Sequence, residues 1–140
     1  MISSNAANRI IFVFSLAGLM ISSFLFYEYN LQSPIICPVG TGCDTVRASP
    51  YSYFLGISIP ILGILFYLVM TILSVIHAQT TNNLLFRLKL LVSLIGVGFG
   101  VYLTSLEIFV IKAICFWCVL SFIISLVILL SVILSHEKRN

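Results

Sequence analysis

Ala113-Ile114-Cys115-Phe116-Trp117-Cys118-Val119-Leu120 stands at the mouth of a long apolar run, with two cysteines three residues apart. On a helix that spacing puts both thiols on one face, close enough to bridge or to work as a redox pair. If the helix begins near Ala113, both lie in its first turns. There the partial positive charge of the helix end favours thiolate, the form that attacks disulfides. Two buried apolar cysteines in a membrane helix would read the same way. A second pair, Cys37 and Cys43, is what gives the motif a possible exchange partner.

The run that follows Cys118 is one of four. Of the 140 residues, 61% are hydrophobic and 8% charged, more apolar surface than a soluble fold of this length can hide. Ile10 to Tyr27 is an apolar stretch of 18 residues behind Arg9. It is long for a signal peptide, and no small-x-small cleavage site follows before Glu28, so it reads as a retained first helix. Phe54 to Ile76, Leu90 to Ile111 and Ala113 to Ser135 supply three more spans. The expected fold is an all-α integral membrane domain over residues 1–140. Its four transmembrane helices run at about 10–27, 54–76, 90–111 and 113–135, with an outward loop 30–53 covering the active site. Pro34, Pro38, Gly40, Gly42 and Pro50 break that loop, which carries Cys37, Cys43, Asp44, Arg47 and Ser49. His77 to Lys89 reads as a polar connector, and the tail from His136 is polar. No basic patch with interleaved aromatics suggests nucleic acid.

In the third span Gly96, Gly100 and Thr104 recur every four residues, a small-residue stripe that lets another helix approach closely. Glu107 continues that face. An acid in a membrane helix is a functional suspect; the alternatives are that it snorkels to water or pairs with Lys112. With four spans, both termini and the central connector share one side. That side carries Arg9, Arg87, Lys89, Lys138 and Arg139, against Arg47 and Lys112 on the other. The cation-rich side is expected to be cytoplasmic, in a cell (inner) membrane, so both cysteine pairs face the oxidising periplasm or exterior.

Three readings of the cysteines compete. A zinc site usually wants two tight clusters in water, and Cys37 and Cys43 are spaced more widely than a usual knuckle. Two structural disulfides are a second reading, although a bridge within one helix turn constrains almost nothing. The third is a dithiol relay, in which the loop pair meets a soluble partner and the helix pair meets an oxidant dissolved in the membrane. From another class, a small four-helix transporter would use Glu107 as its proton-coupled site. A quinone-linked oxidase of the DsbB type would place its Cys-x-x-Cys in the first outward loop, whereas here it lies in the second. Cys118, Ser121 and Ser125 form a weakly polar stripe that can line a cavity, although membrane serines, Ser125 above all, often bond back to their own helix. Trp117 reads as an anchor at the membrane interface.

The order of these features resembles the vitamin K epoxide reductase (VKOR) family in its bacterial form. The resemblance rests on Cys37-Pro-Val-Gly-Thr-Gly-Cys43-Asp-Thr-Val-Arg-Ala-Ser49, Gly56-Ile-Ser-Ile-Pro60-Ile-Leu-Gly63, Phe66-Tyr67, Tyr102-Leu-Thr-Ser-Leu-Glu107 and Cys115-Phe-Trp-Cys118. It implies a quinone-linked thiol–disulfide oxidoreductase without metal, reducing a quinone of the ubiquinone or menaquinone type and supporting disulfide bond formation. By the resemblance, Cys118 is the thiol that reacts with the quinone and Cys115 its partner in exchange with the loop. Cys43 attacks the Cys115–Cys118 disulfide, Cys37 forms a mixed disulfide with the incoming protein, and Ser49 steadies the cover. The quinone cavity would involve Ser121 and Phe122, with Glu107 in support. Phe122 stands where animal members carry a tyrosine, Phe116 and Ser58 where proline is common. Many bacterial members carry a fused thioredoxin-like domain; here the partner is expected to be a separate, DsbA-like polypeptide.

Overall fold

A computed structural model describes residues 3–80 and 82–137; Thr81, Lys138 and Arg139, used in the reading above, lie outside them. Helix α1 runs Ser4–Leu31 and starts where the Ser3 hydroxyl accepts the Ala6 N–H at 3.2 Å, a side-chain cap that replaces a missing helix bond. It extends beyond the apolar run at both ends, because polar residues continue a helix past the lipid without cost. Its buried face, Ala7, Ile11, Ser15, Gly18, Ser22, Leu25 and Glu28, repeats every three or four residues, as one side of a helix must.

The loop after α1 folds into a cap. A short helix α2 (Gly42–Ala48) is followed by a single turn at Pro50–Ser52 and a two-stranded hairpin, β1 (Tyr53–Phe54) and β2 (Ile57–Ser58). The strands pair Tyr53 with Ser58 and Phe54 with Ile57 across Leu55 and Gly56, both at positive φ (51° and 82°). A two-residue hairpin turn needs left-handed backbone at both central positions, which Gly56 adopts freely. The hairpin takes the residues assigned to the start of the second span. That span, α3, therefore runs Ile59–Gln79 rather than from Phe54, with Pro60 in its first turn where no N–H is required.

Helix α4 (Asn83–Ser105) begins where Asn82 Oδ1 accepts the Leu84 N–H at 3.1 Å. The polar connector is thus much shorter than His77 to Lys89, and Arg87 and Lys89 belong to the helix. Lys89 is 3% exposed, and its ammonium donates to Asn8 Oδ1. Asn8 in turn donates to the Ser74 carbonyl at 3.0 Å, which ties α1, α3 and α4 at one end of the bundle. A buried cation needs such a partner to be tolerated. A π-helical turn, Leu106–Ile111, continues α4. Helix α5 (Phe116–Glu137) follows a four-residue connector.

Four of these helices are long and apolar enough to cross a membrane, and the architecture is a membrane helical bundle. Its centre is Ile11, Tyr67, Met70, Ile124, Ile128 and Val132. Helix α1 packs tightly on α3: a Cβ at Gly18 would lie 2.2 Å from the Tyr67 ring, so glycine is what admits that ring.

Candidate active site

The cap sets the loop cysteines over the start of α5. Cys37 and Cys43 form a disulfide with Cα atoms 6.0 Å apart, while Cys115 and Cys118 are free thiols. Cys43 and Cys115 are buried in one cluster with Leu25, Ile35 and Val46, and Cys37 and Cys118 pack against it. All four cysteines therefore belong to a single apolar patch. Gly42 makes the approach possible, since a Cβ there would lie 2.0 Å from the Ile114 carbonyl oxygen.

Helix α5 begins at Phe116, not Ala113, so only Cys118 lies within its first turn. The Cys115 carbonyl accepts the Val119 N–H at 3.1 Å, which makes Cys115 the capping residue. Two features hold it outside the helix: Lys112 turns the chain with left-handed backbone (φ 56°), and Glu107 Oε2 accepts the Cys115 N–H at 3.1 Å. The thiolate preference inferred from a helix start holds for Cys115, with the neighbouring thiol as its largest cause. The Cys118 thiol donating to it, helped by the first N–H groups of the helix, holds Cys115 below the usual thiol range against the opposing effect of burial.

Glu107 is 3% exposed, and its carboxylate also interacts with the Cys118 thiol. The alternative pairing with Lys112 is replaced by the bond to Cys115. The π-helical turn that carries Glu107 breaks the i, i+4 register, so it does not simply extend the Gly96/Gly100/Thr104 face. That stripe has a different use from the one expected. Cβ atoms at Gly96 and Gly100 would fall 2.3 Å and 2.4 Å from the rings of Phe66 and Phe122, so the glycines admit aromatic rings instead of a neighbouring helix backbone.

Those rings wall a cavity of about 300 Å³ that opens among α1, α3, α4 and α5. Cys118, Ser121, Phe122 and Ser125 line one side, Tyr29, Phe66, Tyr67, Phe99 and Thr104 the others, with Phe54 of the hairpin at the rim. Phe54 packs edge-on against Phe99 at 5.5 Å. Tyr67 donates its hydroxyl proton to the Ser121 carbonyl at 2.8 Å and sits 2.7 Å from the Ser121 hydroxyl, fixing that side chain. Ser125 donates back to the Phe122 carbonyl at 2.7 Å, within its own helix. An apolar, aromatic-walled space with one sulfur and few hydroxyls fits a flat lipophilic ring such as a quinone. Among the described residues no cluster of three or more His, Cys, Asp or Glu is arranged to hold a metal ion.

The vitamin K epoxide reductase family model matches residues 9–133, which take in the cap, all four spans and all four cysteines. The chain belongs to that family. No curated protein matches it. VKOR family members are membrane-bound oxidoreductases of thiols and disulfides that use a quinone and work with redox partner proteins.

Asp44 and Arg47 shape this VKOR site, although the sequence alone assigns them no role in it. Asp44 Oδ1 accepts the Ile35 N–H at 3.0 Å and pairs with Arg47 at 3.2 Å, while Arg47 donates to the Ser33 carbonyl at 2.7 Å. Together they fold the segment before Cys37 back onto α2. An acid in the first turn of a short helix with a base three residues later was the available signal. Trp117 makes specific contacts with the rest of the fold: its indole N–H donates to the Ile36 carbonyl at 2.8 Å and its ring packs on Phe24. It thereby latches the residue before Cys37 to the residue before Cys118. Ser49 lies in the cap, where its hydroxyl donates to the Val46 carbonyl at 2.7 Å and closes the end of α2 without contacting a sulfur. Trp117→Phe keeps the ring and deletes the N–H donor. Loss of one such bond, about 1 kcal/mol, should speed amide exchange in residues 33–37 roughly fivefold, read by mass spectrometry, with little change in melting temperature.

Proposed function

We propose that this protein oxidises a separate, thioredoxin-like protein of the DsbA type and passes the electrons to a ubiquinone- or menaquinone-type membrane quinone, supporting disulfide bond formation. The observation that carries the reading is the meeting of an oxidised loop pair and a reduced helix pair in one buried cluster, with Cys118 facing an aromatic cavity. A thiolate of the partner attacks Cys37 of the loop disulfide, and Cys43 leaves as a thiolate. The partner's second thiol resolves the mixed disulfide, leaving the partner oxidised and the loop reduced. Cys43 then attacks Cys115 of a Cys115–Cys118 disulfide, and Cys37 closes the loop disulfide again, which leaves the helix pair as two thiols. That is the state described above. A quinone in the cavity supplies a two-electron, two-proton acceptor that leaves as quinol.

The chain's own residues prepare this transfer. Cys115, held toward thiolate at the helix start, is a good leaving group when Cys37 attacks Cys43 of the Cys43–Cys115 disulfide and a good nucleophile toward Cys118. Tyr67 and Ser121 set a hydroxyl beside the cavity, Phe122 shapes its wall, and Ser49 keeps the cap intact. The cation count supports an orientation with both termini in the cytoplasm and the cap outside, in the oxidising compartment this chemistry requires. Glu107 accepts the Cys115 N–H, which ties the buried acid to the thiol pair and speaks against a transporter's ion path.

Cys43→Ala leaves Cys37 with no internal thiol to displace a bound partner. Purified from membranes, that variant should carry a reductant-sensitive adduct on Cys37, linked to a cysteine of a Cys-x-x-Cys in a thioredoxin-fold protein. If Cys37 is recovered free, or linked only to glutathione, the assignment of the partner is wrong.

A further inference from the structure

We propose that Glu107 takes the proton of the Cys118 thiol when that sulfur acts as a nucleophile, and returns it when Cys118 is a leaving group. The electron route leaves this acid unused, yet the fold invests in placing it. Glu107 is 3% exposed and is carried by a π-helical turn, an irregularity that concentrates at functional sites. One carboxylate oxygen accepts the Cys115 N–H, which fixes the group in place. Its other partner is the Cys118 thiol, so the one carboxylate touches both residues of the pair. Neither partner is a cation.

The chemistry explains the arrangement. Forming a thiolate by release to water puts an uncompensated charge in an apolar cavity, which is costly. Transfer within the pair avoids that: the Cys118 S–H bond breaks, a Glu107 O–H bond forms, and the single negative charge moves from carboxylate to sulfur with no change in total. No electron is transferred in this step. In the opposite direction Cys43 thiolate attacks Cys115, the Cys43–Cys115 bond forms and the Cys115–Cys118 bond breaks. Cys118 leaves as thiolate and takes the proton from Glu107 carboxylic acid. A merely structural Glu107 would need only the acceptor for the Cys115 N–H, which a glutamine oxygen also provides.

Cys115 and Cys118 are the titratable groups facing Glu107, and Tyr29 of α1 faces the same two sulfurs, with Arg47 of the cap beyond it. A phenol and a guanidinium keep their charge between about pH 6 and 8, so Cys115 is the one interfering group. The test uses the full-length protein as Cys115→Ser, with the loop disulfide intact, so that Cys118 is the remaining free thiol of the four cysteines. Its alkylation rate with a membrane-permeant maleimide is followed across that range. A pair that shares one negative charge has a thiolate fraction independent of pH, so the rate should be nearly flat. Adding Glu107→Gln should convert the profile to a rise of about tenfold per pH unit, the behaviour of a lone thiol below its pKa. Glu107→Asp should keep the flat profile. A tenfold-per-unit slope in the Cys115→Ser parent, or parallel profiles with and without Glu107→Gln, overturns the proposal. The inference rests on Cys118 as the electron-delivering thiol; because the test contains neither quinone nor partner protein, failure of that reading and failure of this one are told apart.

Discussion

In a Cys118→Ala protein a Cys43–Cys115 disulfide is expected to accumulate, and quinone reduction to fall by at least about a thousandfold, the scale on which losing a nucleophile acts. Cys118, in the first turn of α5, lines the cavity, whereas Cys115 caps the helix beneath α2 and is buried with Cys43. Each sulfur of the pair therefore has a different neighbour. Cys115 has the thiolate bias and the loop cysteine; Cys118 has the cavity. Without Cys118, a bond between Cys43 and Cys115 has no internal thiol on the α5 side to resolve it. Cys115→Ala should do the reverse and leave Cys118 reactive toward small oxidants yet cut off from the loop. Non-reducing peptide mapping of both variants decides the order. A dominant Cys37–Cys115 bond in Cys118→Ala would mean that the loop cysteines exchange roles, with Cys43 meeting the partner.

Gly42→Ala should slow the transfer between loop and helix pairs about a hundredfold, the cost of displacing reacting groups by roughly an ångström. The added methyl would lie 2.0 Å from the Ile114 carbonyl oxygen and 2.9 Å from its carbon. Backbone cannot rotate aside as a side chain does, so α2 must lift, and Cys43 adjoins Gly42. The Cys37–Cys43 disulfide should still form, because both cysteines travel with the cap. The four long helices do not depend on this contact, so the melting temperature should fall little. Single-turnover exchange can be followed by fluorescence, since Trp117 is the single tryptophan of the sequence and packs against the same cluster. An unchanged rate would show that the close seating of α2 on the connector is dispensable.

The parts of this protein that depend on local chemistry were legible in its sequence. Four apolar runs announce four spans because a bilayer accepts only helices whose backbone bonds are internal. The order of the cysteines, two in a Pro- and Gly-broken loop and two at the mouth of the last run, suffices to point to thiol–disulfide exchange and to the VKOR family. Helix ends were less legible, because apolar runs mark where lipid begins and not where hydrogen bonding stops. Ser3 and Asn82 start α1 and α4 outside their apolar runs, and the turn at Leu55 and Gly56 diverts residues 53–58 into a hairpin. The remaining decisions belong to contacts between segments far apart in the chain. Cys115 caps α5 because Glu107 holds its N–H; Trp117 latches the loop because Ile36 presents a carbonyl there. Gly96 and Gly100 face rings because Phe66 and Phe122 arrive from other helices. A small residue shows in sequence only that something can come close, and what comes close is settled by how the helices pack.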